Sequence, residues 1–391
     1  MEKKGRFKKK ISGLAAILLP ALLGMAAGVA LANYGEHVAA DVGGFRLALI
    51  MLLSVLCLAL AVLLQMLIHE AGHLLFGLLS GYSFCSFRLG SFMLLKDETG
   101  RFSIKRQSIP GTGGQCLMSP PDFEEDGYLP TGLYNMGGVL LNFISALVFL
   151  WVYFLSGGTM VLPVLWLSLS IIGFGLALIN GIPMQLGGIC NDGYNSLAMG
   201  RDPAALRAFW IQLKINQLFT QGKRLGEMPW EWFKMPEEQE MKNSLCASLS
   251  VFRANRLMDE HSFAEAGTLM ERLLTGGGNI PGLYILMLRC DLACCCLLSG
   301  RAGEAKALLE DKSMKKFMAQ MKNSPAVIRT GFIWALLGEG DRPQAEKRRQ
   351  SLEELAGPYP YPGDIKSERE IIALAAEAFE NRTAGADLKQ S

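Results

Sequence analysis

The sequence predicts an α-helical membrane protein of about four transmembrane helices with a small cytoplasmic β-hairpin, followed by a soluble all-α helical-repeat domain. Three observations carry this expectation. Hydrophobic residues make up 50% of the chain and gather in its first half, in runs long enough to cross a bilayer. A polar stretch between two of those runs alternates apolar and polar residues as strands do. Beyond Gly200 the composition turns charged, and a short alanine-bearing segment recurs about every 40 residues.

At 391 residues the chain has room for two domains, read here as residues 1–199 in the membrane and residues 200–391 in the cytoplasm. A formal net charge of +2 supplies no basic field, which excludes nucleic acid as a partner. The nine cysteines show no paired C-x-x-C spacing and read as reduced thiols, Cys294-Cys295-Cys296 being small buried residues of a helix.

Basic residues from Lys3 to Lys10 precede the first apolar run, Ile11 to Ala32. It is longer than a signal-peptide core, so it is expected to be an uncleaved anchor with its N-terminus in the cytoplasm. The loop Asn33 to Gly44 has no Lys or Arg and should face outward. The second span, Phe45 to Leu79, returns inward, and the basic loop Gly81 to Thr131 that follows belongs in the cytoplasm. Alternation in Phe84-Cys-Ser-Phe-Arg-Leu and Phe102-Ser-Ile-Lys, around Asp97-Glu-Thr-Gly100, predicts the hairpin. Pro110-Gly-Thr-Gly-Gly-Gln-Cys116 lacks the Gly-Lys-Ser/Thr ending of a phosphate loop and reads as a flexible or substrate-facing loop. Leu133 to Leu155 and Val161 to Ile182 complete four spans, leaving both termini cytoplasmic.

In the second half, Ser262-Phe-Ala-Glu-Ala266, Arg301-Ala-Gly-Glu-Ala305 and Arg342-Pro-Gln-Ala345 each follow an apolar helix and open another. They resemble degenerate tetratricopeptide units, with an irregular helical bundle as the alternative. Either arrangement suits contact with a cytoplasmic partner or with the membrane half.

The chemistry centres on His69-Glu70-Ala71-Gly72-His73, which lies inside the longest apolar run and holds two of the chain's four histidines. Residues four apart share a helix face, so both imidazoles can reach one metal ion with Glu70 beside it. A catalytic zinc takes three protein ligands and leaves a position for water. Asp192 is the best third ligand, because it follows the helix-breaking Asn180-Gly-Ile-Pro183 where a carboxylate beside the membrane needs a partner. Asp122 and Asp126 are rivals that read as solvated charges. Glu70 is the expected proton carrier for hydrolysis.

From Leu47 to Met199 the chain resembles the site-2 proteases, intramembrane zinc metalloproteases. The resemblance rests on His69-Glu70-x-x-His73, on Gly138-Val139-Leu140-Leu141-Asn142, and on Asn180-x-x-Pro183 followed by Asp192-Gly193. It implies Zn²⁺ as cofactor, His69, His73 and Asp192 as its ligands, and Glu70 as the catalytic acid and base. Asn142 is implied to orient substrate or stabilise the oxyanion, with a helix–helix hydrogen bond as the alternative. Val139 replaces the family's proline, and the interval from Pro183 to Asp192 is longer than the family's. The hairpin is similar to an element that binds unwound substrate by strand addition.

The expected activity is zinc-dependent cleavage of a membrane-spanning or membrane-inserted protein or peptide near the cytoplasmic face. Prenyl-protein processing proteases also carry H-E-x-x-H in membrane helices, but the Asn-Pro and Asp-Gly pattern argues against them. The alternative from another class is a non-catalytic membrane scaffold whose repeats recruit a cytoplasmic partner. A transporter is disfavoured, since paired broken helices are missing.

Overall fold

The structure is a computed structural model, and it describes residues 44–109, 112–123, 129–156, 161–186, 189–200 and 202–387. The expected first span, Ile11 to Ala32, lies outside the described residues, as does Asp126. The described chain is mostly helical. Helix α1 covers Gly44–Leu79, α2 Thr131–Leu155 and α3 Leu162–Gly181. All three are long and apolar enough to cross a membrane.

Strands β1 (Ser83–Leu89), β2 (Phe92–Lys96), β3 (Phe102–Arg106) and β4 (Gly114–Ser119) form one small sheet in the order β3-β2-β1-β4. This corrects the expected single hairpin. The Asp97 to Gly100 turn is present, but it joins β2 to β3, with Leu94 opposite Ile104, and β1 pairs with β2 through Phe87 and Leu94. The overlooked strand, Phe-Met-Leu-Leu-Lys, has an apolar run in place of alternation, so its period is not visible. Asp97 fixes the turn by accepting from the backbone N–H groups of Thr99 and Arg101 at 2.9 Å each. The last three residues of the glycine-rich stretch expected to be a loop, Gly114 to Cys116, open β4.

By contacts the chain divides into two compact units. The first comprises residues 1–84, 113–121 and 128–200. Its three long helices pack on one another, and α1 also carries β4. No proline interrupts α1 across its full length, and Ser54, a polar residue in an apolar run, returns its hydroxyl to the Ile50 carbonyl. Pro163 sits in the first turn of α3, where its missing N–H costs nothing.

The second unit comprises residues 85–112, 122–127 and 201–391. Its helices are α5 (Pro203–Thr220), α6 (Ser244–Asp259), α7 (Phe263–Thr275), α8 (Gly282–Leu298), α9 (Ala302–Glu310), α10 (Lys312–Gln320), α11 (Pro325–Ile333), α12 (Arg342–Ala356) and α13 (Pro362–Asp387). The recurring segments fall at equivalent places. His261, Gly300 and Gly340 all have left-handed φ, 59°, 79° and 70°, and each precedes a new helix. Ala266, Ala305 and Ala345, five residues later in each case, are buried in the core of the unit. The apolar core also takes in Arg329, which is buried between Asp291 (2.5 Å) and Glu368 (2.7 Å). All nine cysteines are free, and Cys294, Cys295 and Cys296 are buried in α8.

Candidate metal centre

His69, Glu70 and His73 occupy the last third of α1 and are buried. Helical spacing sets the two imidazoles one turn apart, with Nε2 atoms separated by 3.3 Å. The facing helix α2 comes close enough to hold both rings because Gly72 and Gly137 meet at the crossing. A Cβ on Gly72 would lie 2.3 Å from the Gly137 carbonyl oxygen, and one on Gly137 would lie 2.5 Å from that of Gly72. One residue further on, a Cβ on Gly138 would lie 2.6 Å from His69 Cε1 and 2.7 Å from His73 Nε2. The rings therefore rest on bare backbone.

Hydrogen bonds fix both tautomers. His73 Nδ1 lies 2.8 Å from the Tyr134 carbonyl, which can only accept, so this nitrogen carries the proton. Asn142 Nδ2 donates to the Gln65 backbone carbonyl at 2.9 Å and to Gln65 Oε1 at 2.7 Å, which turns Asn142 Oδ1 toward His69 Nδ1 at 2.6 Å. His69 Nδ1 must then carry its proton as well. Both Nε2 atoms are left with lone pairs pointing at each other.

Asp192 completes the group, despite the long interval from Pro183. Helix α3 ends at Gly181, and the chain forms a short antiparallel ladder, β5 (Gln185–Leu186) with β6 (Ile189–Cys190), before α4 (Asp192–Met199) begins. The extra residues are folded away in that ladder. Asn191 ties its ends together: its side chain accepts from Met184 N and Tyr194 N at 2.9 Å each and donates to the Ile179 and Ile182 carbonyls at 2.6 Å each. It is also the N-cap of α4, which sets the direction in which Asp192 leaves the chain. Gly193 must be glycine, since a Cβ there would lie 2.2 Å from the Gly181 carbonyl oxygen.

Asp192 Oδ2 lies 3.1 Å from His69 Nε2 and 3.4 Å from His73 Nε2. It is buried and accepts no hydrogen bond, because both facing nitrogens carry lone pairs. Three lone-pair donors thus converge with separations of 3.1–3.4 Å. Metal–ligand bonds of about 2.0–2.1 Å in tetrahedral geometry place ligands about 3.3–3.4 Å apart, so the group fits a zinc-sized cation. Without a cation, three lone pairs would repel at this range.

The rival Asp122 does not share this geometry. The Asp122 side chain is exposed and faces Lys214 at 3.5 Å. A second trio, Glu271, Cys296 and Glu304, already surrounds a cation, since Arg301 pairs with Glu271 at 2.8 Å and Glu304 at 3.1 Å. Asn180, part of the motif pattern, bonds back to the Leu176 carbonyl of its own helix at 3.1 Å.

A comparison with protein families matches Peptidase family M50, the site-2 protease family, over residues 57–358. The chain belongs to that family. Curated proteins and solved structures return no match. M50 members are in general zinc metalloproteases of membranes, so a membrane protease is the family-level reading of this chain. The match runs far past Met199, where the motif-based resemblance was expected to stop.

For this M50 protein, the structure also brings in residues that the motifs did not single out. Gln65 is fully buried one turn before His69 and on the same face. Its Nε2 donates to the Leu169 carbonyl of α3 at 2.8 Å, and Ser145 of α2 donates to its Oε1 at 3.2 Å. Gly173 makes room for it, as a Cβ there would lie 2.8 Å from Gln65 Nε2. A lone amide inside an apolar run, four residues before the first histidine, is the sequence signal that marks it. Gly114, at the start of β4, lies against the Glu70 carboxylate, where a Cβ would come within 2.5 Å of Oε1.

Proposed function

We propose that this chain is a zinc-dependent endopeptidase that cleaves a membrane-spanning or membrane-inserted protein or peptide near the cytoplasmic face of the cell membrane. The observation that carries the reading is the convergence of His69 Nε2, His73 Nε2 and Asp192 Oδ2 with Glu70 alongside. His69, His73 and Asp192 would hold the ion, which when bound supplies Lewis-acid polarisation of a carbonyl and a lowered pKa for water. Glu70 is the residue that takes a proton from the attacking water at its carboxylate and delivers it to the leaving amine nitrogen. Its burial among apolar helices keeps bulk water away from that transfer. Strand β4, beside the carboxylate, supports a reading in which extended substrate lies along the sheet.

Asn142 acts through His69 in this scheme. Both ends of its amide are engaged, Oδ1 by His69 and Nδ2 by Gln65, so it holds a ligand in place and has no donor left for an oxyanion. We read the protein as multi-pass, with both termini cytoplasmic and a TPR-like helical unit that meets a cytoplasmic partner.

The test is zinc content by elemental analysis of purified protein in detergent, paired with profiling of new peptide termini in membranes expressing wild type or Glu70→Gln. The expected result is about one zinc per chain in wild type and Glu70→Gln, loss in Asp192→Ala, and new termini inside membrane spans for wild type alone. A wild-type protein that stays metal-free with zinc supplied overturns the reading.

A further inference from the structure

The helical unit has a partly open pocket of about 230 Å³ between α5, α6, α8, α11 and α13. A recess of this size, lined by both polar and apolar groups, has room for a small ligand. An apolar cavity of about 150 Å³ holds benzene, so this one has room for roughly nine or ten non-hydrogen atoms.

Its lining is unusual in charge. Arg224 is taken up by Asp259 at 2.9 Å and Glu370 at 2.8 Å, and Arg329 by Asp291 at 2.5 Å and Glu368 at 2.7 Å. Once those pairs are made, three polar groups on the wall still lack a full set of partners. Arg329 Nη1 is buried and has no hydrogen-bond acceptor, on a side chain that is 3% exposed. Asn255 Oδ1 is buried and has no donor. The Asp364 carboxyl receives the Tyr359 hydroxyl at 3.2 Å, and among the described residues no cation pairs with it. Val251, Met258, Met287 and Ile371 complete the wall with apolar surface.

One N–H donor, one carbonyl acceptor and one uncompensated carboxyl define the complement: an anionic oxygen, an ammonium and an apolar body. We propose that this cavity binds a free α-amino acid with an apolar side chain of about leucine size, its carboxylate on Arg329 Nη1 and its ammonium between Asp364 and Asn255 Oδ1. Burial, helped by neighbouring Glu368, pushes Asp364 up to about 7, and an ammonium beside it would relieve that strain. The site is separate from the proposed metal centre, and its test does not use protease activity.

The experiment is equilibrium dialysis of the full-length protein in detergent against radiolabelled L-leucine, with N-acetyl-leucine and leucinamide as competitors. The expected result is saturable binding of about one equivalent, with each blocked analogue competing at least about tenfold more weakly because it lacks one of the two charges. Asn255→Leu, which removes the acceptor and leaves both arginine pairs intact, should weaken binding at least about tenfold. Ala326→Trp, which fills the space, should abolish it. Arg329 is not the residue to change, since its loss would strand Asp291 and Glu368. Leucine failing to bind, with methionine, valine and isoleucine failing in the same assay, means that the cavity holds water and overturns the proposal. So does equal competition by the blocked analogues, or wild-type binding by both variants.

Discussion

His69 Nδ1 donates to Asn142 Oδ1 across 2.6 Å, and Asn142 is in turn held by Gln65. The tautomer of a ligand on α1 is therefore set by an amide on α2, whose orientation depends on a second amide one helical turn away. Gln65→Leu and Asn142→Leu should each lower zinc affinity by about 10- to 100-fold, measured by chelator competition. Because the two act in series, the double variant should lose no more than the worse single variant. Additive losses would show that they act independently.

Glu70→Gln keeps the shape of the side chain and removes its capacity to take a proton. Peptide-bond cleavage should fall by about 10²–10⁴-fold, with zinc content unchanged. A variant that loses its zinc as well would make Glu70 part of the metal's support.

Gly138→Ala and Gly132→Ala place the same methyl group on one helix with opposite expected results. At Gly138 it would meet both histidine rings, so zinc binding should fall and stability drop by about 1–3 kcal/mol. At Gly132 no atom lies within 4 Å, and the change should leave the protein neutral or stabilise it by up to about 1 kcal/mol. Thermal melting of the two variants beside wild type checks both.

Asp364 gives the helical unit a pH dependence. Burial raises its carboxyl to about 7, while in the unfolded chain it titrates near the ordinary value of about 4. Between those values the folded state holds a proton that the unfolded state has released, so stability should fall as pH rises from about 4 to about 7 and then level off. Melting of Asp364→Asn across the same range should show a flatter profile, and a wild-type profile that rises toward pH 7 would rule the assignment out.

Much of the site is legible in the sequence, since helical geometry turns His69, Glu70 and His73 into one face without further information. Asp192 is recognisable by residue type and by the broken helix before it. Its route to the site is hidden, because β5 and β6 have two residues each and leave no alternation to read. The supporting glycines are hidden for another reason: Gly72, Gly137 and Gly138 matter through what a side chain would strike on another helix, and no local pattern encodes that. Strand β2 is masked by its apolar run, whereas the repeat turns at His261, Gly300 and Gly340 can be found by their spacing alone.

The ladder before Asp192 separates distance along the chain from distance in space. Asn191 N donates to the Met184 carbonyl at 3.2 Å, so the two ends of the insertion stay adjacent whatever closes it. Residues could be gained or lost at its tip in pairs, one on each strand, over evolutionary time without displacing the carboxylate. The interval between the proline and the aspartate is then free to drift among descendants while the donor triangle is kept. A motif written with a fixed interval would pass over such chains, and one written as a broken helix, any short ladder, then Asp-Gly would gather them.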